Sequence, residues 1–168
     1  MEIGPFFYRI FVVDKNMKIL RYRGTTFPIT PGGGFLTCRH VLDVNLQEDE
    51  SLAILDNETH SLVRIEKIIY PSKEEFDMAF LPNALKKPKE EFFPILTPEE
   101  IIFGEDVYSF GYFDSSRGLN VGYFKGNIVN FLENPQDPDS ISLSYAVIEG
   151  LSGSPVLTYC NGVKVVGL

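Results

Sequence analysis

Glu149-Gly150-Leu151-Ser152-Gly153-Ser154-Pro155 lies between two apolar runs, Ile141 to Ile148 and Val156 to Tyr159. Its glycines let the backbone turn sharply and leave the Ser152 hydroxyl uncovered. A turn of this kind also gathers successive backbone N–H groups, the donors an oxyanion needs when a carbonyl is attacked. Gly, Ser and Pro are equally the residues of an ordinary hairpin loop. The run therefore points to chemistry only in company with a base and an orienting carboxylate.

Both stand upstream. His40 lies in Leu36-Thr37-Cys38-Arg39-His40-Val41-Leu42, and Asp77 in Phe76-Asp77-Met78-Ala79-Phe80-Leu81. Singly, each has a plain structural reading, a histidine after a strand and an aspartate at a strand start. Together, in the order His, Asp, Ser, they follow the chain order of the chymotrypsin-type triad, which differs from the subtilisin and hydrolase orders.

Four segments carry a resemblance: Gly24-Thr25-Thr26-Phe27, Gly34-Phe35-Leu36-Thr37-Cys38-Arg39-His40-Val41, Asp77-Met78-Ala79-Phe80-Leu81 and Gly150-Leu151-Ser152-Gly153-Ser154-Pro155. Spanning most of the chain, they resemble the trypsin-like, chymotrypsin-fold serine peptidases, nearest the unprocessed bacterial HtrA-like branch. Two positions depart from the family pattern. Leu151 stands where Asp or Asn is usual, and Ser154 where Gly is usual. The resemblance implies an all-β fold of two six-stranded antiparallel β-barrels, the second apparently truncated at the C-terminus. It also implies a serine endopeptidase working through an acyl-enzyme. His40 would be the base, Asp77 its orienting partner and Ser152 the nucleophile, with the backbone N–H groups of Gly150 and Ser152 forming the oxyanion hole. Tyr145, Ala146, Val147 and Glu149 would line the primary substrate pocket. Ala146 and Val147 suit a small or apolar side chain and Glu149 a basic one, and the choice between them stays open. A catalytically silent binding or scaffolding module, or an esterase with the same triad, are the alternatives.

Composition narrows the field. With 168 residues the chain can form one domain with a sizeable core, or two small barrels sharing an interface. The 14 Phe and 8 Tyr, in runs broken by 14 Gly and 11 Pro, suit an all-β chain. A net charge of −8 with no basic stripe argues against nucleic acid. The N-terminal apolar run, Phe6 to Val13, contains Arg9, so neither a signal peptide nor a membrane span is read there. The two cysteines, Cys38 and Cys160, form no disulfide framework and no spacing typical of a metal site, and both read as small buried hydrophobes in a reducing, cytoplasmic setting. No metal or cofactor is expected. The expected partners are a polypeptide substrate and a regulatory protein or attached domain, since no family-type activation sequence occurs.

Along the chain, residues 1–82 supply strands for a first barrel and 83–98 a Pro-rich connector, with 99–168 forming the second barrel, all within one domain. Leu62 to Tyr70 reads as one strand, while Lys18–Tyr22 and Gly24–Ile29 read as two. Cys38 to Asp43 reads as one helical turn, and Asn161-Gly162 as a hairpin turn. In the family, the strand resembling Val163 to Leu168 continues further and pairs with substrate. The sequence reading thus leaves an open edge there, which favours self-association.

Overall fold

The computed structural model describes residues 6–73, 76–115, 118–131, 141–145, 150–159 and 162–168. The strands are β1 (Tyr8–Val13), β2 (Ile19–Pro28), β3 (Phe35–Thr37), β4 (Ser51–Leu55), β5 (Leu62–Arg64), β6 (Ala79–Leu81), β7 (Asp106–Ser115), β8 (Gly118–Phe131), β9 (Ile141–Leu143), β10 (Val156–Tyr159) and β11 (Val163–Gly167). They form two antiparallel sheets, six strands ordered β5-β4-β1-β2-β3-β6 and five ordered β11-β10-β7-β8-β9. One α-helical turn, α1 (Arg39–Leu42), follows β3. The expected all-β fold of two antiparallel barrels holds, the second shorter than the first, with five strands rather than six among the described residues.

β1 is covered on both faces. Its alternate residues Ile10 and Val12 enter one cluster with Tyr8, Phe35, Val41, Ile54 and Leu81. The intervening Phe11 and Val13 enter another with Ala53. A strand covered on both faces has to be apolar nearly throughout, and Tyr-Arg-Ile-Phe-Val-Val is. The residues expected to make two strands form the single β2, because bulges between Ile10 and Phe11 and between Val12 and Val13 let one long strand bend along β1. Pro28, lacking a donor, ends β2. The strand expected over Leu62 to Tyr70 stops at Arg64. After Ile65 donates to the Leu52 carbonyl, at 2.9 Å, the chain crosses over and rejoins pairing only where Ile69 bridges Phe80. The polar Glu66-Lys67 pair breaks the apolar alternation there.

A third cluster fills the seam between the sheets: Phe7 and Phe27 from the first half, Leu157 and Val165 from the second, and Phe93 from the connector. Phe7 stacks on Phe93 at 5.8 Å and on Phe110 at 5.6 Å. Each such aromatic contributes roughly 1.5–3 kcal/mol by leaving water, so the connector is part of the core. The connector also pairs in parallel with β11 through Ile95 and Val165, with Leu96 N–H on the Val165 carbonyl at 2.8 Å and Val165 N–H on the Pro94 carbonyl at 2.9 Å. The β11 edge is therefore covered at its centre, where the sequence reading leaves it bare. No helix among the described residues is long and apolar enough to cross a membrane.

Candidate active site

Strand register brings His40 to Asp77. β3 and β6 pair as Phe35 with Leu81, Leu36 with Phe80 and Thr37 with Ala79. Two further residues along that register set Arg39 against Asp77, and the Arg39 N–H donates to the Asp77 carbonyl at 3.2 Å. The chain then turns into α1, so His40 projects beside the strand end. The Asp77 carboxylate takes the His40 backbone N–H on Oδ1 at 2.9 Å and contacts the His40 ring at Nδ1 through Oδ2 at 2.5 Å. The arrangement fixes the ring's orientation and directs its other nitrogen away from Asp77. Arg23 braces the turn from below, its guanidinium donating to the Val41 and His40 carbonyls at 3.2 and 3.1 Å. The two side chains are about half exposed, 55% for His40 and 53% for Asp77, so the pair faces solvent.

Ser152 arrives from the other half, on a turn closed by the Ser154 N–H donating to the Leu151 carbonyl at 2.9 Å. Gly150 and Gly153 take φ values of +96° and +80°, a region that favours glycine. At Gly153 glycine is also required by space. A Cβ there would lie 2.1 Å from the Thr25 carbonyl oxygen and 2.3 Å from Thr37 Oγ1. Because the Leu151 carbonyl is held by Ser154, the trans peptide directs the Ser152 N–H to the opposite side of the turn. Gly150, the other expected oxyanion donor, has its N–H in the peptide with Glu149, which lies outside the described residues.

The turn is anchored to β2. The Thr25 N–H donates to the Ser152 carbonyl at 2.9 Å. The Tyr22 hydroxyl lies 3.1 Å from the Gly150 carbonyl and 2.8 Å from the Tyr112 carbonyl, and the Tyr112 N–H reaches Thr25 Oγ1 at 3.2 Å. Thr37 donates to the Thr25 carbonyl at 2.7 Å in a buried bond. A side chain at Gly24 would come within 2.6 Å of the Ser152 carbonyl oxygen. In the sequence, Gly24-Thr25-Thr26-Phe27 carries the family resemblance but no site role, and Tyr22 carries no signal. Contacts 128 residues apart leave no local signal.

His40, Asp77 and Ser152 line one cleft of about 430 Å³, together with Cys38, Ser109, Tyr145 and Leu168. Among the hydrogen bonds of the described residues, the His40 ring is engaged with Asp77, and Ser152 joins the pair as a wall of the same cleft. Of the expected pocket residues, Tyr145 lines this cleft, its hydroxyl 2.5 Å from Ser109 Oγ. Burial pushes the Tyr145 hydroxyl above its usual range, and its Ser109 partner offsets part of that. Ala146, Val147 and Glu149 lie outside the described residues. Ser154 Oγ is buried with no partner among the described residues, set against Gly111, where a Cβ would fall 1.8 Å from it. Cys38 is a free, buried thiol, as read from the sequence, and Cys160 lies outside the described residues.

Residues 24–168 match the family model described as a trypsin-like peptidase domain. No curated protein matches the sequence. Among solved structures, the chain is similar to that reported as the crystal structure of Deg5, with a TM-score of 0.63 and 16% identity over 94% of this chain and 76% of that one. At that identity the likeness speaks to the fold.

Proposed function

Since the chain belongs to the trypsin-like peptidase family, we propose that it is a serine endopeptidase in which Ser152, His40 and Asp77 act as the triad. The observation that carries the reading is the His40–Asp77 side-chain pair, 2.5 Å apart, opening on the cleft that Ser152 also lines. Oriented by Asp77, His40 takes the Ser152 proton through Nε2 as the hydroxyl oxygen attacks a peptide carbonyl. The imidazolium, stabilised by the Asp77 carboxylate, returns that proton to the leaving amine. Water then hydrolyses the acyl-enzyme by the same steps. The oxyanion is met by the Ser152 N–H and the Gly150 N–H, each such donor contributing about 2.7–4 kcal/mol to the transition state. A His–Ser hydrogen bond that closes only with substrate bound is common in free enzymes.

A catalytically silent peptidase-like module is the second reading. The observation favouring it is the lack of a hydrogen bond between the His40 ring and Ser152 among the described residues. A fluorophosphonate probe separates the two. The wild-type chain should label and hydrolyse a peptide, and Ser152→Ala should do neither while melting like the wild type. Labelling undiminished in Ser152→Ala would remove Ser152 from the site, and a folded wild type that never labels would favour the silent module.

A further inference from the structure

The proposed proton transfer between Ser152 and His40 makes no use of Cys38, a neighbour of both on the cleft wall. Cys38 sits at the N-cap position of α1, only 7% exposed, in the wall shared with His40 and Asp77. Its Sγ, a His40 ring nitrogen and an Asp77 carboxylate oxygen all lie within 4.8 Å of one another, the group of three such donors found close enough to share one ion among the described residues. One thiolate, one imidazole and one carboxylate suit zinc and its thiophilic neighbours, whereas magnesium and calcium call for oxygen throughout. The cleft is open to solvent over His40 and Asp77, leaving a side from which an ion can enter and a water can complete a tetrahedron.

We propose that Cys38, His40 and Asp77 form an inhibitory site for a thiophilic divalent cation, zinc first. The inhibitory half of the proposal rests on the peptidase reading, and the binding half does not. The proton balance is simple. The Cys38 thiol loses its proton to solvent and binds as thiolate. The ion takes the place of the proton between His40 Nδ1 and Asp77, so that contact opens: His40 gives its Nδ1 lone pair to the ion, and the proton it held there for Asp77 passes to Nε2. A neutral imidazole bound through Nδ1 carries its hydrogen on Nε2, so it has no lone pair left to accept the Ser152 proton. One ion thus removes the base and engages its orienting carboxylate together. The cysteine spacing hides such a site, because its third donor lies 37 residues from His40 and arrives only by the β3–β6 register.

The test uses the full chain carrying Ser152→Ala and Cys160→Ser, which leaves Cys38 as its one thiol and cannot turn over. Zinc is titrated in competition with a chromogenic chelator, and cadmium is followed by its thiolate absorption in the ultraviolet. One equivalent of zinc and a cadmium–thiolate band are expected. Adding Cys38→Ala should abolish the band, and either Cys38→Ala or Asp77→Asn should weaken zinc by more than about 10-fold, the loss that even outer-shell changes cause. A folded protein without the band, or zinc affinity unmoved by Cys38→Ala, overturns the site. Inhibition is read as the ratio of peptide hydrolysis without and with zinc, taken separately in wild type and Cys38→Ala. That ratio should be large in the first and approach one in the second, and equal ratios overturn the inhibitory role. Zinc bound by a chain that hydrolyses nothing would uphold the site and bring down the peptidase reading instead.

Discussion

Phe27, Phe35, Ile10, Ile54 and Leu81 of the first sheet are wholly buried, whereas Val121, Tyr123, Val129 and Tyr159 of the second are 65%, 55%, 55% and 74% exposed. Of the twelve largest fully buried side chains among the described residues, ten belong to the first half and two, Val107 and Ile128, to the second. The first half is thus a packed scaffold that sets the His40–Asp77 geometry from within, by the β3–β6 register. The Ser152 turn owes its position less to its own sheet than to β2, through Gly24, Thr25 and Tyr22. Ser152 is in effect delivered by one half and held by the other.

The preset pair is most vulnerable at the carboxylate. Asp77→Asn leaves the first-half core untouched and can still accept the His40 N–H, but it favours the wrong ring tautomer. A loss of about 10⁴-fold in kcat is expected, with melting close to wild type. A two- or three-fold loss would mean that the preset pair takes no part in turnover.

The delivered half breaks at its anchor. Gly153→Ala adds left-handed strain at φ +80° and drives a Cβ to 2.1 Å from the Thr25 carbonyl oxygen. Destabilisation of at least about 2 kcal/mol is expected in denaturant unfolding, with probe labelling lost. Gly162→Ala is the control within the same half. Its φ is +119°, but a Cβ there meets nothing within 4 Å, so it should keep labelling. Equal effects of the two changes would show that left-handed strain, not the contact with β2, is what matters.

Tyr22→Phe loosens the same anchor by one atom. The ring stays against Phe11, at 5.8 Å, while the hydroxyl that reaches the Gly150 and Tyr112 carbonyls is lost. Stability should fall by about 1 kcal/mol and kcat by about 10-fold, with KM nearly unchanged, because the turn is displaced and the cleft is not. A change in KM alone would assign Tyr22 to substrate binding.

What could be read in advance divides along similar lines. Periodicity and Gly/Pro punctuation suffice for β1, β3, β4, α1 and the β10–β11 hairpin, where each element's own residues dictate it. His40, Asp77 and Ser152 were visible as residue types in a particular order, and the cleft gathers them. Tyr22, Thr25 and Thr37 were not, since a hydroxyl that bonds a carbonyl from a distant segment looks in sequence like any strand residue. The strand expected through Glu66 and Lys67 failed for a related reason. Whether a segment stays paired depends on its neighbour, and past Ile65 the chain leaves β4 and pairs next through Ile69 with Phe80 of β6.

The smallest effect concerns how the connector is fastened to the first half. Asp56, at the β4–β5 turn, accepts Lys87 Nζ at 2.7 Å, the Glu58 N–H at 3.1 Å and the Thr59 hydroxyl at 2.9 Å. Burial alone would raise its carboxyl, but these partners outweigh that and hold it below the usual range. Glu58, bonded to Lys87 and Lys89, is lowered as well, though its 61% exposure lets solvent screen the pair. A carboxyl depressed by folding binds its proton more readily in the unfolded chain. Its stabilisation is therefore fully present above the unfolded value, near pH 4, and is lost as pH falls toward the folded one. Lys87 is raised by Asp56 first and Glu58 next, so its share is lost only in the alkaline range. Asp56→Asn should flatten the acid limb of unfolding free energy between pH 5 and 3, by at most about 1.4 kcal/mol per pH unit, one proton's worth. The carboxylates common to both proteins cancel in the difference. Parallel acid limbs for wild type and Asp56→Asn would mean that the connector is held to the first half by Phe93 and its aromatic neighbours, with the ion pairs adding nothing that acid can remove.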